Sequence, residues 1–192
     1  MRKRRGANKE VVSLIALLHD VDDYKLFGME YAKNLTNARR IMNECGVEIK
    51  IKEQVCDALN NIGYNKRLKG CFPFTIEGKV ISDADMCDAL GANGILRTYT
   101  YSMKNGMPFF DKTIFPVENM SADDYVRKNA TSSVCHIFEK ILKLKDLMLT
   151  KSGQEEAKSR HQIVVDFLYR MFDEENAPEW KEYLDAYLRK RA

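Results

Sequence analysis

Histidine is scarce here: His19, His136 and His161 are the three in 192 residues, so any imidazole chemistry must run through one of them. Five cysteines, Cys45, Cys56, Cys71, Cys87 and Cys135, are an odd number with no Cys-x-x-Cys pair. That excludes a disulfide framework and a zinc knuckle, and reads as reduced core thiols of an intracellular protein. No stretch approaches the roughly 18 uninterrupted apolar residues of a membrane span, and the N-terminus lacks the apolar region of a signal peptide. The formal net charge is only +3, from 31 basic and 28 acidic residues, so bulk charge draws the chain to neither a membrane nor a nucleic acid. A soluble cytoplasmic protein without a stable nucleic-acid complex is expected. No glycine-rich phosphate loop is present, so a bound nucleotide would rest on metal and basic side chains. Ser132 and Ser133 have no partner base in sequence, and Cys135 beside His136 diverges from it on a helix, which argues against nucleophilic catalysis.

What is present is helical periodicity from end to end. A chain of this length is expected to form one domain, 1–192, with a sizeable core. Residues 1–8, including the basic run Arg2-Lys3-Arg4-Arg5, are expected to be disordered. Val11, Leu14, Ile15 and Leu18 mark a first helix, and Tyr24 to Gly28 reads as a short connection. Asn34 or Thr36 opens a second helix that Gly46 closes, and Lys52 to Ile62 forms a third. Leu68 to Phe74 reads as a loop. A fourth helix starts near Ile76 and runs past Asp88 to Gly91 and Gly94, which kink it or admit a close neighbour. Ile95 to Tyr101 is taken as helix because its surroundings are helical. Residues 104–121, with Gly106, Pro108 and Pro116, form a long loop whose Phe109, Phe110 and Phe115 imply that it folds back as a lid or partner contact. Residues 122–192 supply the C-terminal helices: about Ala130 to Leu149, Gly153 to Phe172, and one opened by Pro178 that buries Trp180, Leu184 and Leu188. No strand is convincing, so the fold class is all-α.

Two stretches can carry chemistry. Leu17-Leu18-His19-Asp20-Val21-Asp22-Asp23 ends the first helix in an imidazole and three carboxylates. Neighbouring residues share one ion only where a helix ends and opens onto a cavity; a solvated helix end with a capping histidine is the plain alternative. Val80-Ile81-Ser82-Asp83-Ala84-Asp85-Met86-Cys87-Asp88-Ala89-Leu90-Gly91 puts Asp85 and Asp88 three apart, on one helical face, with Asp83 elsewhere. Carboxylates in so apolar a window are paired or on a metal, and a half-buried salt bridge is the rival reading. His136, Lys140 and Lys143 fall at i, i+4 and i+7, one stripe of donors that holds phosphate oxygens in a cleft and is an ordinary solvated face otherwise. His161, between Ala157 and Val164 or Val165, reads as a hydrogen-bonded core histidine ahead of a pocket residue.

With these motifs in hand, the chain resembles the HD-domain metal-dependent phosphohydrolases. The resemblance runs from Leu17 to Asp23, through Gly78-Lys79-Val80-Ile81-Ser82-Asp83-Ala84-Asp85 and Asp88-Ala89-Leu90-Gly91, to Gly94-Ile95-Leu96-Arg97-Thr98. It continues in His136-Ile137-Phe138-Glu139-Lys140, Lys143-Leu144-Lys145 and Arg160-His161, and is closest to the small bacterial single-domain HD hydrolases, whose relatives include nucleoside triphosphate pyrophosphohydrolases. It implies an HD-type helical bundle and a divalent metal held by His19, Asp20 and Asp85. A mixed imidazole and carboxylate set suits manganese, iron, nickel, cobalt or magnesium. It implies hydrolysis of a phosphate ester or anhydride, plausibly of a nucleotide, by metal-activated water, with Asp20, Asp23 and Asp88 as the catalytic carboxylates, the last two orienting water. Lys25, Arg97, His136 and Lys143 are the candidates for binding substrate phosphate. The expected partner is a small phosphorylated substrate; a homodimer stays open.

One departure stands beside the match. The family's first ligand is a histidine on a helix preceding the His-Asp pair, and no histidine precedes His19. The family's first helix is therefore expected to be missing, either because the start of the chain is shortened or because a ligand has been lost, unless a domain-swapped neighbour supplies one. The absence of a further histidine around Asn60-Asn61-Ile62-Gly63-Tyr64 points to one metal, not two. The alternatives to a hydrolase are an HD module that binds nucleotide or partner without turnover, and a helical interaction protein working through Phe109 and Phe110.

Overall fold

Asn8 opens the first helix, its Oδ1 accepting from the backbone N–H groups of Glu10 and Val11, and Val11, Ile15 and Leu18 then recur on the inward face. The structure is a computed structural model that describes residues 6–117 and 132–191. Among those residues every regular element is helical: α1 (Lys9–Leu18), α2 (Tyr24–Phe27), α3 (Met29–Asn34), α4 (Thr36–Glu44), α5 (Ile49–Asn61), α6 (Tyr64–Leu68), α7 (Ile76–Asp88), α8 (Gly91–Lys104), α9 (Ser133–Glu139), a 3-10 segment (Ile141–Leu147), α10 (Lys151–Glu174) and α11 (Pro178–Arg189). No helix among the described residues is long and apolar enough to cross a membrane. Among the described residues the fold is all-α, as expected.

The chain divides into two compact units, residues 1–86 and 87–192. In the first, α1 packs on α5 and α4 on α5, around Val11, Ile15, Leu18, Ala38, Met42, Val55 and Leu59. Tyr24 to Gly28 is not a plain connection: α2 and α3 occupy it and its sequel, with no buried residue in either. Asp23 opens α2, accepting from Lys25 N–H at 2.7 Å, a capping signal that the acidic run conceals. The expected loop from Leu68 begins one residue late, because α6 extends to Leu68.

In the second unit α10 packs against α8, the 3-10 segment and α11. The acidic helix does not run through the glycines. α7 stops at Asp88, Gly91 takes a left-handed φ of +73°, and α8 starts anew. Gly94 admits the turn: a Cβ there would lie 2.2 Å from the Ala89 carbonyl oxygen. The helix expected over Ala130 to Leu149 is also broken. Its first residues lie outside the described ones, α9 ends at Glu139, Lys140 adopts φ −132° and ψ −59°, and the tighter 3-10 segment follows.

Residues 105–117 fold back onto α11 and its neighbours. Phe115 stacks on Trp180 at 4.5 Å between centroids, Phe110 meets the same indole edge-on at 5.1 Å, and the indole N–H donates to Lys112 O at 3.2 Å. The loop also opens α9, whose Ser133 and Val134 N–H groups donate to Pro108 O and Phe109 O. α11 buries Trp180, Leu184 and Tyr187; the expected Leu188 is only half-buried. Cys56, Cys87 and Cys135 are buried thiols as expected, whereas Cys45 and Cys71 are exposed.

Candidate functional site

α1 terminates at His19, which keeps a helical backbone (φ −64°, ψ −27°) while the chain turns away after it. Its Nδ1 stands 2.8 Å from Ala16 O. A carbonyl oxygen only accepts, so Nδ1 carries a proton, and Nε2 is the ring nitrogen left to face Asp20 or an ion. Asp20 Oδ2 lies 3.3 Å from that nitrogen, with the Asp20 side chain largely exposed. Two ligands at right angles on one ion, with bonds of about 2.1 Å, stand roughly 3 Å apart, so this pair has the span for sharing a cation. The C-terminal end of α1 adds partial negative charge beside it.

The segment behind the pair is fastened by the next carboxylate. Asp22 is 6 % exposed, and its two oxygens accept from the backbone N–H groups of Asn37 (2.8 Å) and Ala38 (2.9 Å), while Asn37 Nδ2 donates to Val21 O at 2.9 Å. α4 has no side-chain cap at its own N-cap, Leu35, whose backbone is left-handed at φ 51°; Asp22 supplies that cap from across the fold. No role for Asp22 is visible in the sequence. Its signal, a carboxylate 15 residues from the helix it caps, has no local signature.

α7 carries its three carboxylates at three depths. Asp83 is 3 % exposed, Asp85 half-buried and Asp88 exposed. Asp83 lies near the Arg67 guanidinium: burial lowers the Arg67 pKa and the Asp83 charge works against that. Among the described residues no three His, Cys, Asp or Glu side chains assemble as a metal-holding group, so His19 and Asp20 converge as a pair, without Asp85 as a third member. Lys25 is exposed on α2, its Nζ 5.9 Å from the Tyr24 ring centroid.

In the second unit Asp88 and Arg97 form an ion pair with each other at the surface. The three-residue stripe expected of His136, Lys140 and Lys143 does not form on one α-helix, because Lys140 is where α9 gives way to 3-10 geometry and the angular spacing changes. His136 and Lys143 are both half-buried. The serines are structural: Ser132 Oγ caps α9 by accepting from Cys135 N–H, and Ser133 Oγ meets Ser102 Oγ at 2.6 Å in the interior. His161 is a core residue at 7 % exposure, but Nδ1 has no hydrogen-bond partner, contrary to the bonded core histidine expected. Burial, with the Lys145 charge adding to it and Asp146 opposing, lowers its pKa to about 4, so the ring is neutral.

No family model matches the chain. An HD-superfamily hydrolase from Bacillus thuringiensis is similar in structure, with 34 % identity and a TM-score of 0.66 over 90 % of this chain and 77 % of that one. A protein of Lactobacillus plantarum superposes with a TM-score of 0.75 at 28 % identity, covering 90 % of this chain and 79 % of its own. YpgQ of Bacillus subtilis is 26 % identical over 170 residues, 88 % of this chain and 74 % of YpgQ, and its crystal structure in complex with ADP matches with a TM-score of 0.60.

Proposed function

The chain belongs to the HD superfamily, and on that premise we propose that it is a divalent-metal-dependent phosphohydrolase that cleaves a phosphate ester or anhydride of a nucleotide. The observation that carries this reading is the His19 Nε2 and Asp20 Oδ2 pair at 3.3 Å, with the proton of the ring held on the opposite nitrogen by Ala16. His19 and Asp20 would hold the ion, with Asp85 as the third ligand on the strength of the HD resemblance alone, a donor set suited to manganese, iron, nickel, cobalt or magnesium. When bound, such an ion polarises a phosphoryl oxygen and lowers the pKa of water. The rest is done by side chains. Asp23 uses Oδ1 in capping α2, which leaves its other oxygen to orient water, and Asp88 shares that task. Lys25, Arg97, His136 and Lys143 donate to phosphate oxygens, Arg97 exchanging its bond to Asp88 for one to substrate. The ADP complex of YpgQ supports a nucleotide as the substrate class.

Binding of a nucleotide without turnover is the second reading, favoured by the lack of a third metal donor beside His19 and Asp20 among the described residues. Phosphate or pyrophosphate release from a nucleotide panel with added manganese separates the two. Turnover that Asp85→Ala abolishes supports the hydrolase; full activity in that variant overturns the assigned ligand set.

A further inference from the structure

The turn that carries His19 and Asp20 has little packing of its own. On one side α1 is anchored through the buried Leu18, but on the other α2 buries no residue. Asp20 lies between them with its side chain 76 % exposed, so its direction is set by its backbone and not by packing. The peptide unit after Asp20 is held at both ends: Val21 N–H donates to Leu18 O at 3.4 Å, and Asp20 O accepts from Asp23 N–H at 3.1 Å. The next unit is held from elsewhere in the fold. Val21 O accepts from Asn37 Nδ2 at 2.9 Å, a bond between residues 16 apart in the chain.

Asn37 is placed for this by the start of α4. Its backbone N–H donates to Asp22 Oδ1 at 2.8 Å, beside the bond from Ala38 N–H to Asp22 Oδ2 at 2.9 Å, so the first turn of α4 is tied to the residue after Val21. Leu35, the N-cap of the same helix, is buried with a left-handed backbone at φ 51°, ψ 47°, a conformation that a leucine adopts only where its surroundings impose it. The two ties differ in what they serve. The Asp22 carboxylate satisfies backbone donors of α4, whereas the Asn37 amide bond reaches only the turn that bears His19 and Asp20. Ligands of a metal must stand within about 0.5 Å of their productive geometry, and groups behind them supply that precision. We propose that Asn37 is a positioning residue for the metal site, fixing the Val21 carbonyl and through it the direction of Asp20 beside His19. The inference rests on the metal-dependent reading above.

Asn37→Ala tests it on the full chain, because the variant removes Nδ2 and keeps the backbone donor that Asp22 accepts from. Calorimetric titration with manganese is expected to show affinity reduced about tenfold. Amide hydrogen exchange of the metal-free protein gives a readout that needs no ion. The Asp23 N–H is expected to exchange at least about tenfold faster in the variant, while the Ile15 N–H in the core of α1 keeps its wild-type rate. An Ile15 rate that rises by the same factor means that Asn37 serves the fold as a whole, and overturns the proposal. Equal manganese affinity in variant and wild type also overturns it, and leaves the metal-dependent reading standing. A wild type that binds no manganese fails that reading, and this inference with it. Asn37→Ser is the second variant, since serine suits the first turn of a helix while its hydroxyl stops one bond short of Val21 O. It too is expected to lose affinity, and wild-type affinity in it contradicts the inference.

Discussion

His19 Nε2 faces Asp20 Oδ2 at 3.3 Å because the other ring nitrogen is tied to Ala16 O one turn back. The helix end thus selects the tautomer that a metal ligand needs, before any ion arrives. In this account neither side chain holds up the fold: both lie at the surface, outside the core of α1 and α5.

Metal affinity and stability should therefore separate at His19. His19→Ala is expected to lower manganese affinity by more than the roughly 10–100-fold that loss of an outer hydrogen-bonding partner costs, while metal-free stability changes by no more than about 0.5 kcal/mol. Calorimetric titration with manganese and urea denaturation of the metal-free protein read the two quantities. Equal manganese affinity in the variant and wild type would remove His19 from the site.

Asp22 should behave in the opposite way. Asp22→Ala takes both acceptors from the buried N-terminus of α4 and leaves the Asn37 and Ala38 N–H groups without them. A loss of about 2 kcal/mol is expected, the upper end for a cap, because the site is buried. Chemical denaturation measures it. A change below about 0.5 kcal/mol, the size of an ordinary surface substitution, would mean that water replaces the carboxylate.

The buried imidazole sets an acid limit. His161 has its pKa lowered from 6.5 to about 4 in the folded chain, so the unfolded state binds more protons between those values. Its neutral form is accommodated in full above pH 6.5, and that contribution is lost as pH falls through the window toward 4. The loss from this group is on the order of 3 kcal/mol. Denaturation midpoints from pH 7 to pH 4 for wild type and His161→Gln check it: the wild type should lose stability more steeply. Parallel profiles would contradict the assignment.

Helical periodicity made most of the fold legible, since Val11, Ile15 and Leu18, or Trp180 and Leu184, report their buried faces through spacing alone. Gly91 and Gly94 were recognisable as an irregularity, but whether they kink or divide a helix depends on Gly94 meeting the Ala89 carbonyl, a three-dimensional fact. The break at Lys140 left no mark at all, as Ile137, Ile141 and Leu144 suit an α-helix equally well. At the site, the His19-Asp20 pair was readable as a local motif. The cap from Asp22 to α4 and the nearness of Arg67 to Asp83 were not, because each joins residues at least 15 apart.

The central claim is that this chain binds a catalytic divalent ion through His19, Asp20 and Asp85. Elemental analysis of the purified chain after manganese loading and buffer exchange, run beside Asp85→Ala, tests it most directly. Close to one ion per wild-type chain is expected, and little in the variant, with nucleotide turnover tracking the metal. No retained metal and no turnover in the wild type, even with manganese in excess, would contradict it.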